Sequence, residues 1–147
     1  MSKVTRIRML PTPVMRSVPE ANRWRLLEDW PFRIKPDKDN SQNWDVPHIY
    51  VIRKGYEWDG ASKPWHNKAV FVLPACHWKM VVPSLEHDIM CDKRDEFAAM
   101  GISSIHAARH FRRRMAQYKV NDDGFLDEQQ MYWAVRLGGP KWDAAPT

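Results

Sequence analysis

The chain has 147 residues, a formal net charge of +5 and eight tryptophans. This length predicts a single domain over residues 1–147 that can bury a sizeable core. No apolar run reaches the roughly eighteen residues that a membrane helix needs, and residues 1–6 lack the apolar core of a signal peptide. The sequence therefore argues against membrane insertion and predicts synthesis in the cytoplasm.

Strand signals lie in the N-terminal half. Polar and apolar side chains alternate over 4–10, and residues 24–29 with 31–34 indicate a broken strand pair. The strongest strand pattern, 48–53, is closed by Lys54 and Gly55. Proline-rich residues 1–22 and 140–147 are predicted to be irregular, extended ends, because proline has no backbone N–H to donate.

Helix signals lie in the C-terminal half. Ser84 is a plausible N-cap for a helix that runs to about Phe97 and ends before Gly101, with Leu85 and Ile89 inward. A second helix is predicted from Ser103 or Ser104, with apolar residues at helical spacing, namely Ile105, Ala108, Phe111, Met115 and Tyr118. A third is predicted over 126–137, ended by Gly138-Gly139-Pro140. The predicted class is α+β, a small antiparallel sheet from the N-terminal half packed by about three helices from the C-terminal half.

The positive charge does not point to nucleic acid. Three consecutive arginines, Arg112 to Arg114, spread around a helix, so at least one must lie near the core face. A charged, solvated helix or a salt-bridged interface is favoured over phosphate binding. No nucleic-acid-binding motif accompanies them. Tryptophans suit a compact core or a protein interface.

Two segments carry the chemistry. The first is the turn sequence containing Asp59, Gly60 and Ser62, and the second is the pair His87-Asp88 on the predicted first helix. In one interpretation His87 activates water, Asp88 binds a metal and Asp59 orients the imidazole, a division of labour found in some lipid hydrolases. In the other, the Asp59, Gly60 and Ser62 turn and His87 form a structural lock between turn and helix.

No cofactor or resident metal is predicted. His106 and His110 have the i,i+4 spacing of a zinc helix, but the sequence between them lacks the glutamate that such a motif carries. A zinc site would also need further ligands from elsewhere in the chain.

Three ordered matches make the chain resemble a phage- and prophage-enriched family of unknown function, number thirteen fifty-three. They are the segment Gly55 to Pro64, the pair His87-Asp88, and the run Tyr132 to Gly138 followed by Trp142. The family pattern also has an Ala-Asp-x-x-Phe element. Here Ala107-Ala108-Arg109-His110-Phe111 has an alanine in place of the aspartate.

The resemblance implies phage biology without implying an activity. We expect a bacteriophage structural or interaction protein, made in the host cytoplasm and located in the virion as a tail, baseplate or capsid-associated component, in contact with other phage proteins in several copies. Met9, Leu10, Met15 and Trp142 give the two ends apolar groups to bury against such a partner. The alternative is a small phage hydrolase that acts on host envelope lipid or peptidoglycan through His87, Asp88 and Asp59, although the missing aspartate argues against an enzyme.

Overall fold

The computed structural model of the chain describes residues 11–19, 23–35, 48–58, 78–120 and 128–145. Within these residues short strands come first and helices follow, which confirms the predicted α+β class. The strands are β1 (Met15–Val18), β2 (Arg23–Leu26), β3 (Trp30–Ile34), β4 (His48–Ile52) and β5 (Glu57–Trp58). The helices are α1 (Trp78–Asp92), α2 (Arg94–Ala99), α3 (Ser104–Gln117) and α4 (Glu128–Gly138).

The described strands form two antiparallel sheets. One has the order β1-β2-β5 and the other pairs β3 with β4. Although β2 and β3 are consecutive, they do not pair with each other, because β5 takes the free edge of β2 through the pairs Trp24–Trp58 and Arg25–Glu57. In β3, Trp30, Phe32 and Ile34 are buried and the residues between them are exposed. The predicted broken strand pair over 24–29 and 31–34 corresponds to β2 and β3.

The prediction that residues 1–22 are irregular is wrong for residues 15–18, which form β1. β1 pairs in register with β2, from Met15 opposite Leu26 to Val18 opposite Arg23. The proline ring of Pro13 does not prevent this pairing, because the strand starts beyond it. The predicted strand over 4–10 lies outside the described residues.

Helix α1 begins at Trp78, so the prediction that Ser84 caps its start is wrong. Pro83 lies inside the helix, and the Ser84 hydroxyl donates to the Val81 carbonyl at 3.0 Å. Residues 79–91 are all buried. We attribute the helix to this burial, since tertiary packing offsets the cost of a proline that cannot donate an N–H to the preceding turn.

The helix predicted to run to Phe97 is divided at Lys93 into α1 and α2. The predicted stop at Gly101 is confirmed. Gly101 has φ of 86°, and the N–H of Ile102 donates to the Phe97 carbonyl at 2.9 Å while that of Gly101 donates to Ala98 at 3.0 Å. These two bonds form a Schellman motif, in which a left-handed glycine closes the helix.

Helix α3 starts after Ser103, as predicted. The Ser103 N–H donates to Nδ1 of His106 at 3.0 Å, so a histidine takes the place that glutamate holds in a capping box. Four of the five predicted inward residues are buried, but Ile105 is wrong, being 39% exposed. Its side chain lines a cleft that also includes residues at the end of α4.

The larger core cluster is shared by the strands and by α1 to α3, and includes Leu26, Ile34, Leu85 and Phe97. A second cluster joins α3 to α4. None of the helices in the described part of the chain is long and apolar enough to cross a membrane.

Candidate functional site

The predicted turn residues Asp59, Gly60 and Ser62 lie outside the described residues. The contact of these turn residues with His87 stays a prediction. The two interpretations, an oriented catalytic base and a structural lock, therefore both stay open. The structure does place the two helical residues of the site, His87 and Asp88, in the middle of α1, where both are 6% exposed.

His87 lies on the side of α1 that faces α3. Its ring centroid is 5.2 Å from that of Phe111. The Cys91 sulfur, one turn along α1, lies 3.7 Å from Nδ1 and 3.8 Å from Nε2. Cys91 is itself a buried thiol. An aromatic ring and a thiol are apolar neighbours, so this part of the imidazole environment resembles a packed core more than a hydrated catalytic base.

Asp88 lies near different neighbours, in keeping with the 100° turn between adjacent helical residues. Its charge acts on Tyr56, whose hydroxyl donates to Asp92 at 2.6 Å. Burial, the hydrogen bond to Asp92 and the nearby carboxylates raise the pKa of Tyr56 far above its usual range. Tyr56 therefore stays protonated and fastens the end of α1 to the strand region.

A cleft of about 340 Å³ opens where the start of α3 meets the end of α4 and residues 140–143. We call it the C-terminal cleft. Of the pair His87 and Asp88, His87 alone is among its described lining residues. The roles predicted for His87 and Asp88 stay predictions.

The C-terminal segment is held by contacts within the chain. The Ser104 N–H donates to the Trp142 carbonyl at 3.0 Å, and the Trp142 N–H donates to the Ser104 hydroxyl at 3.2 Å. The Trp142 indole donates to the Ile102 carbonyl at 2.9 Å. The N–H of Ala145 bonds the Ala98 carbonyl at 2.9 Å. Proline at 140 thus does not leave the segment without hydrogen bonds.

The predicted partner interface of Met15 and Trp142 stays a prediction. Both side chains are partly buried against the larger core cluster of their own chain. At the other end, the Tyr118 hydroxyl donates to the Pro11 carbonyl at 2.6 Å and holds that residue beside the C-terminal end of α3. Met9 and Leu10 lie outside the described residues.

Sequence reasoning missed a buried ionic cluster beside the predicted site. Glu86, fully buried on α1, accepts hydrogen bonds from side chains on β3 and α3. Its Oε1 lies 2.7 Å from His110 Nε2 and 2.9 Å from Arg114 Nε, and its Oε2 lies 2.8 Å from Trp30 Nε1 and 3.1 Å from Arg114 Nη2. Four N–H donors fill the lone pairs of one carboxylate. We call Glu86, Trp30, His110 and Arg114 the Glu86 cluster.

His110 is the member of the Glu86 cluster whose protonation state affects the pH dependence of stability. Burial lowers the pKa of His110 below its ordinary value of 6.5, against the opposing effect of the bond to Glu86, and the charges of Arg114 and Arg113 lower it further. Its Nδ1 is buried and has no hydrogen-bond partner among the described residues. The ring is therefore neutral, with Nε2–H donating to Glu86.

We expect the free energy of unfolding to fall as the pH drops below 6.5, the ordinary pKa of histidine. The unfolded chain binds a proton at His110 more readily than the folded chain does, so protonation favours unfolding over this range. Urea unfolding from about pH 8 to about pH 5 measures the slope. His110→Gln, which keeps an N–H donor for Glu86, should flatten it, and His48→Gln on β4 is the control. An equal slope in all three proteins would contradict the assignment.

Of the three consecutive arginines, Arg114 forms a salt bridge, through two hydrogen bonds to Glu86. The Arg112 guanidinium lies 5.3 Å from the Tyr132 ring centroid. His106 and His110 serve separate hydrogen bonds rather than one site. Among the described residues no group of three or more His, Cys, Asp or Glu side chains is placed to hold a metal ion.

Comparison of the chain with protein-family models, curated protein sequences and solved structures found no match. The resemblance to the phage family stays a prediction from the quoted residues.

Proposed function

We propose that the chain is a bacteriophage protein that acts through contacts with other phage proteins, as a tail, baseplate or capsid-associated component of the virion. The phage origin is supported by the sequence resemblance. The contact role is supported by a surface that the structure places around the C-terminal cleft.

That surface is the single observation on which the contact role rests. Three large apolar side chains line the cleft and stay accessible to solvent: Ile105 at 39%, Trp133 at 49% and Leu137 at 74%. Isolated exposed apolar residues are ordinary, but a group around one concavity is typical of a binding surface. Tryptophan is also among the residues that contribute most to the affinity of protein interfaces.

The geometry supports contact more than catalysis. A general base must come within hydrogen-bond reach of the proton that it removes. His87 is 6% exposed, and its described neighbours include Phe111 and Cys91. The charge of Asp88 acts on Tyr56. The hydrolase alternative has one observation in its favour, which is that His87 does line the cleft.

We expect Trp133→Ser combined with Leu137→Ser to reduce incorporation of the protein into purified phage particles at least tenfold, about the effect of losing one strong interface contact. Quantitative mass spectrometry of particles grown with each variant supplies the measurement. Ile49→Ser is the matched control, since Ile49 is 69% exposed but lies on β4, and it should leave incorporation unchanged.

The outcomes separate the two candidate functions. Absence of the unmodified protein from particles, or normal incorporation of the double variant, would overturn the contact proposal. Hydrolysis of phospholipid or peptidoglycan that His87→Ala abolishes without lowering the melting temperature would favour the hydrolase.

A further inference from the structure

Two cations line the C-terminal cleft beside its apolar surface. Arg136 lies in the last turn of α4 and Lys141 just beyond it. Neither side chain forms a hydrogen bond or ion pair within the part of the chain that the structure describes. Asp143 is the one carboxylate among the described lining residues. The cleft thus presents more positive than negative charge.

The apolar part of the lining is adjacent to these cations in the sequence. Trp133 and Leu137 belong to the same helix as Arg136, and Ile105 faces them from the start of α3. Trp142 is held by its bond to the Ile102 carbonyl, so that side of the cleft is fixed before any ligand arrives. A preformed wall costs less ordering entropy on binding than a mobile one.

The size of the cleft limits what can enter it. At about 340 Å³ it is at the lower end of the range for ligand pockets, which is room for one or two side chains and too little for a helix or a folded domain. A ligand that satisfies both parts of the lining must carry an apolar group and a negative charge close together.

We propose that the C-terminal cleft binds a short segment of a partner protein in which an aspartate or glutamate lies beside a large apolar side chain. The apolar side chain enters between Trp133 and Leu137, and the carboxylate meets Arg136 and Lys141. The inference rests on the proposed contact function and names the chemistry of the partner. The net charge of +5 also favours approach of an acidic partner.

A library of random short peptides, displayed on a surface, tests the proposal. Peptides that bind the purified full chain are selected from it. Enriched peptides should pair an acidic residue with a neighbouring aromatic or aliphatic one. Synthetic peptides with blocked ends, measured by fluorescence anisotropy, should bind more weakly in rising salt, because the ion pairs are exposed. Replacing the acidic residue by its amide, or the apolar residue by alanine, should weaken binding.

Charge-neutralising variants provide the matched comparison. Arg136→Gln combined with Lys141→Gln should raise the dissociation constant about tenfold, the effect of losing two exposed ion pairs. Arg33→Gln, an exposed cation on β3, should leave it unchanged. No enrichment, enriched peptides without an acidic residue, equal binding by the double variant, or tighter binding of a single-stranded oligonucleotide at the cleft would overturn the proposal.

Measuring incorporation into particles shows whether only the acidic-partner proposal fails or the proposed contact function fails as well. If the Arg136 and Lys141 double variant enters particles normally while the Trp133 and Leu137 double variant does not, the contact role stands and the acidic partner is wrong. If both variants enter normally, the contact role is wrong as well.

Discussion

Glu86→Gln should lower the free energy of unfolding by about 3 to 5 kcal/mol, the cost of leaving one member of a buried ion pair without its partner. The amide keeps the shape of the side chain but replaces one acceptor oxygen with an N–H₂ group. That group would face donors that already point at the site, from Trp30, His110 and Arg114. Urea unfolding at about neutral pH provides the measurement.

Glu28→Gln is the matched control, because Glu28 is exposed between β2 and β3 and should change stability by less than about 0.5 kcal/mol. Adding Arg114→Met to Glu86→Gln should recover part of the loss, since the unpaired cation is then removed. A loss below about 1 kcal/mol for Glu86→Gln alone would show that the Glu86 cluster contributes little to stability.

Phe97→Ala should also cost about 3 to 5 kcal/mol, through lost burial and the cavity that remains. Phe97 is completely buried on α2, and its ring centroid lies 4.6 Å from that of Tyr50 on β4. It therefore joins the helical layer to the two-stranded sheet. The Phe97 carbonyl also accepts the Ile102 N–H bond of the Schellman motif. This bond restricts the backbone movement that could fill the cavity left by the alanine variant.

Thermal and urea unfolding measure the effect of Phe97→Ala against Leu137→Ala, an exposed residue of α4 that should change stability by less than about 0.5 kcal/mol. Phe97→Leu should cost less than the alanine variant because it leaves a smaller cavity. Equal stability of Phe97→Ala and Leu137→Ala would mean that α2 is not packed as described.

Elements with local signals were predictable from the sequence. β4, the stop at Gly101 and the start of α3 follow from alternation, a left-handed glycine and a serine cap, each of which depends on neighbouring residues. The start of α1 was not predictable, because Pro83 is a local break signal that burial from several elements overrides. The short strand β1 was missed for a similar reason, since its partner β2 lies beyond the prolines that suggested irregularity.

The candidate site was predictable only in part. Placement of His87 and Asp88 on a helix was correct, but the local pattern could not show that they face different neighbours. The Glu86 cluster did have a signal. Glu86 lies at helical spacing between the apolar residues Val82 and Ile89, and an acidic residue in such a position needs donors from elsewhere. Which residues provide these donors depends on how α1, α3 and β3 pack against one another. That packing cannot be read from the spacing of residues along the chain.

The bonds of Trp142 to the corner between α2 and α3 bear on how the protein is completed on the ribosome. The Ser104 hydroxyl donates to the Trp142 carbonyl and the Ile102 carbonyl accepts from the Trp142 indole, so both bonds join residues 38 to 40 positions apart in the chain. At translation rates of about 5 to 20 residues per second, a gap of that length takes roughly 2 to 8 seconds to synthesise. During that interval the nascent helices emerge with this corner still hydrated. The hydrogen bonds that close this corner can therefore form only after the segment around residue 142 has been synthesised.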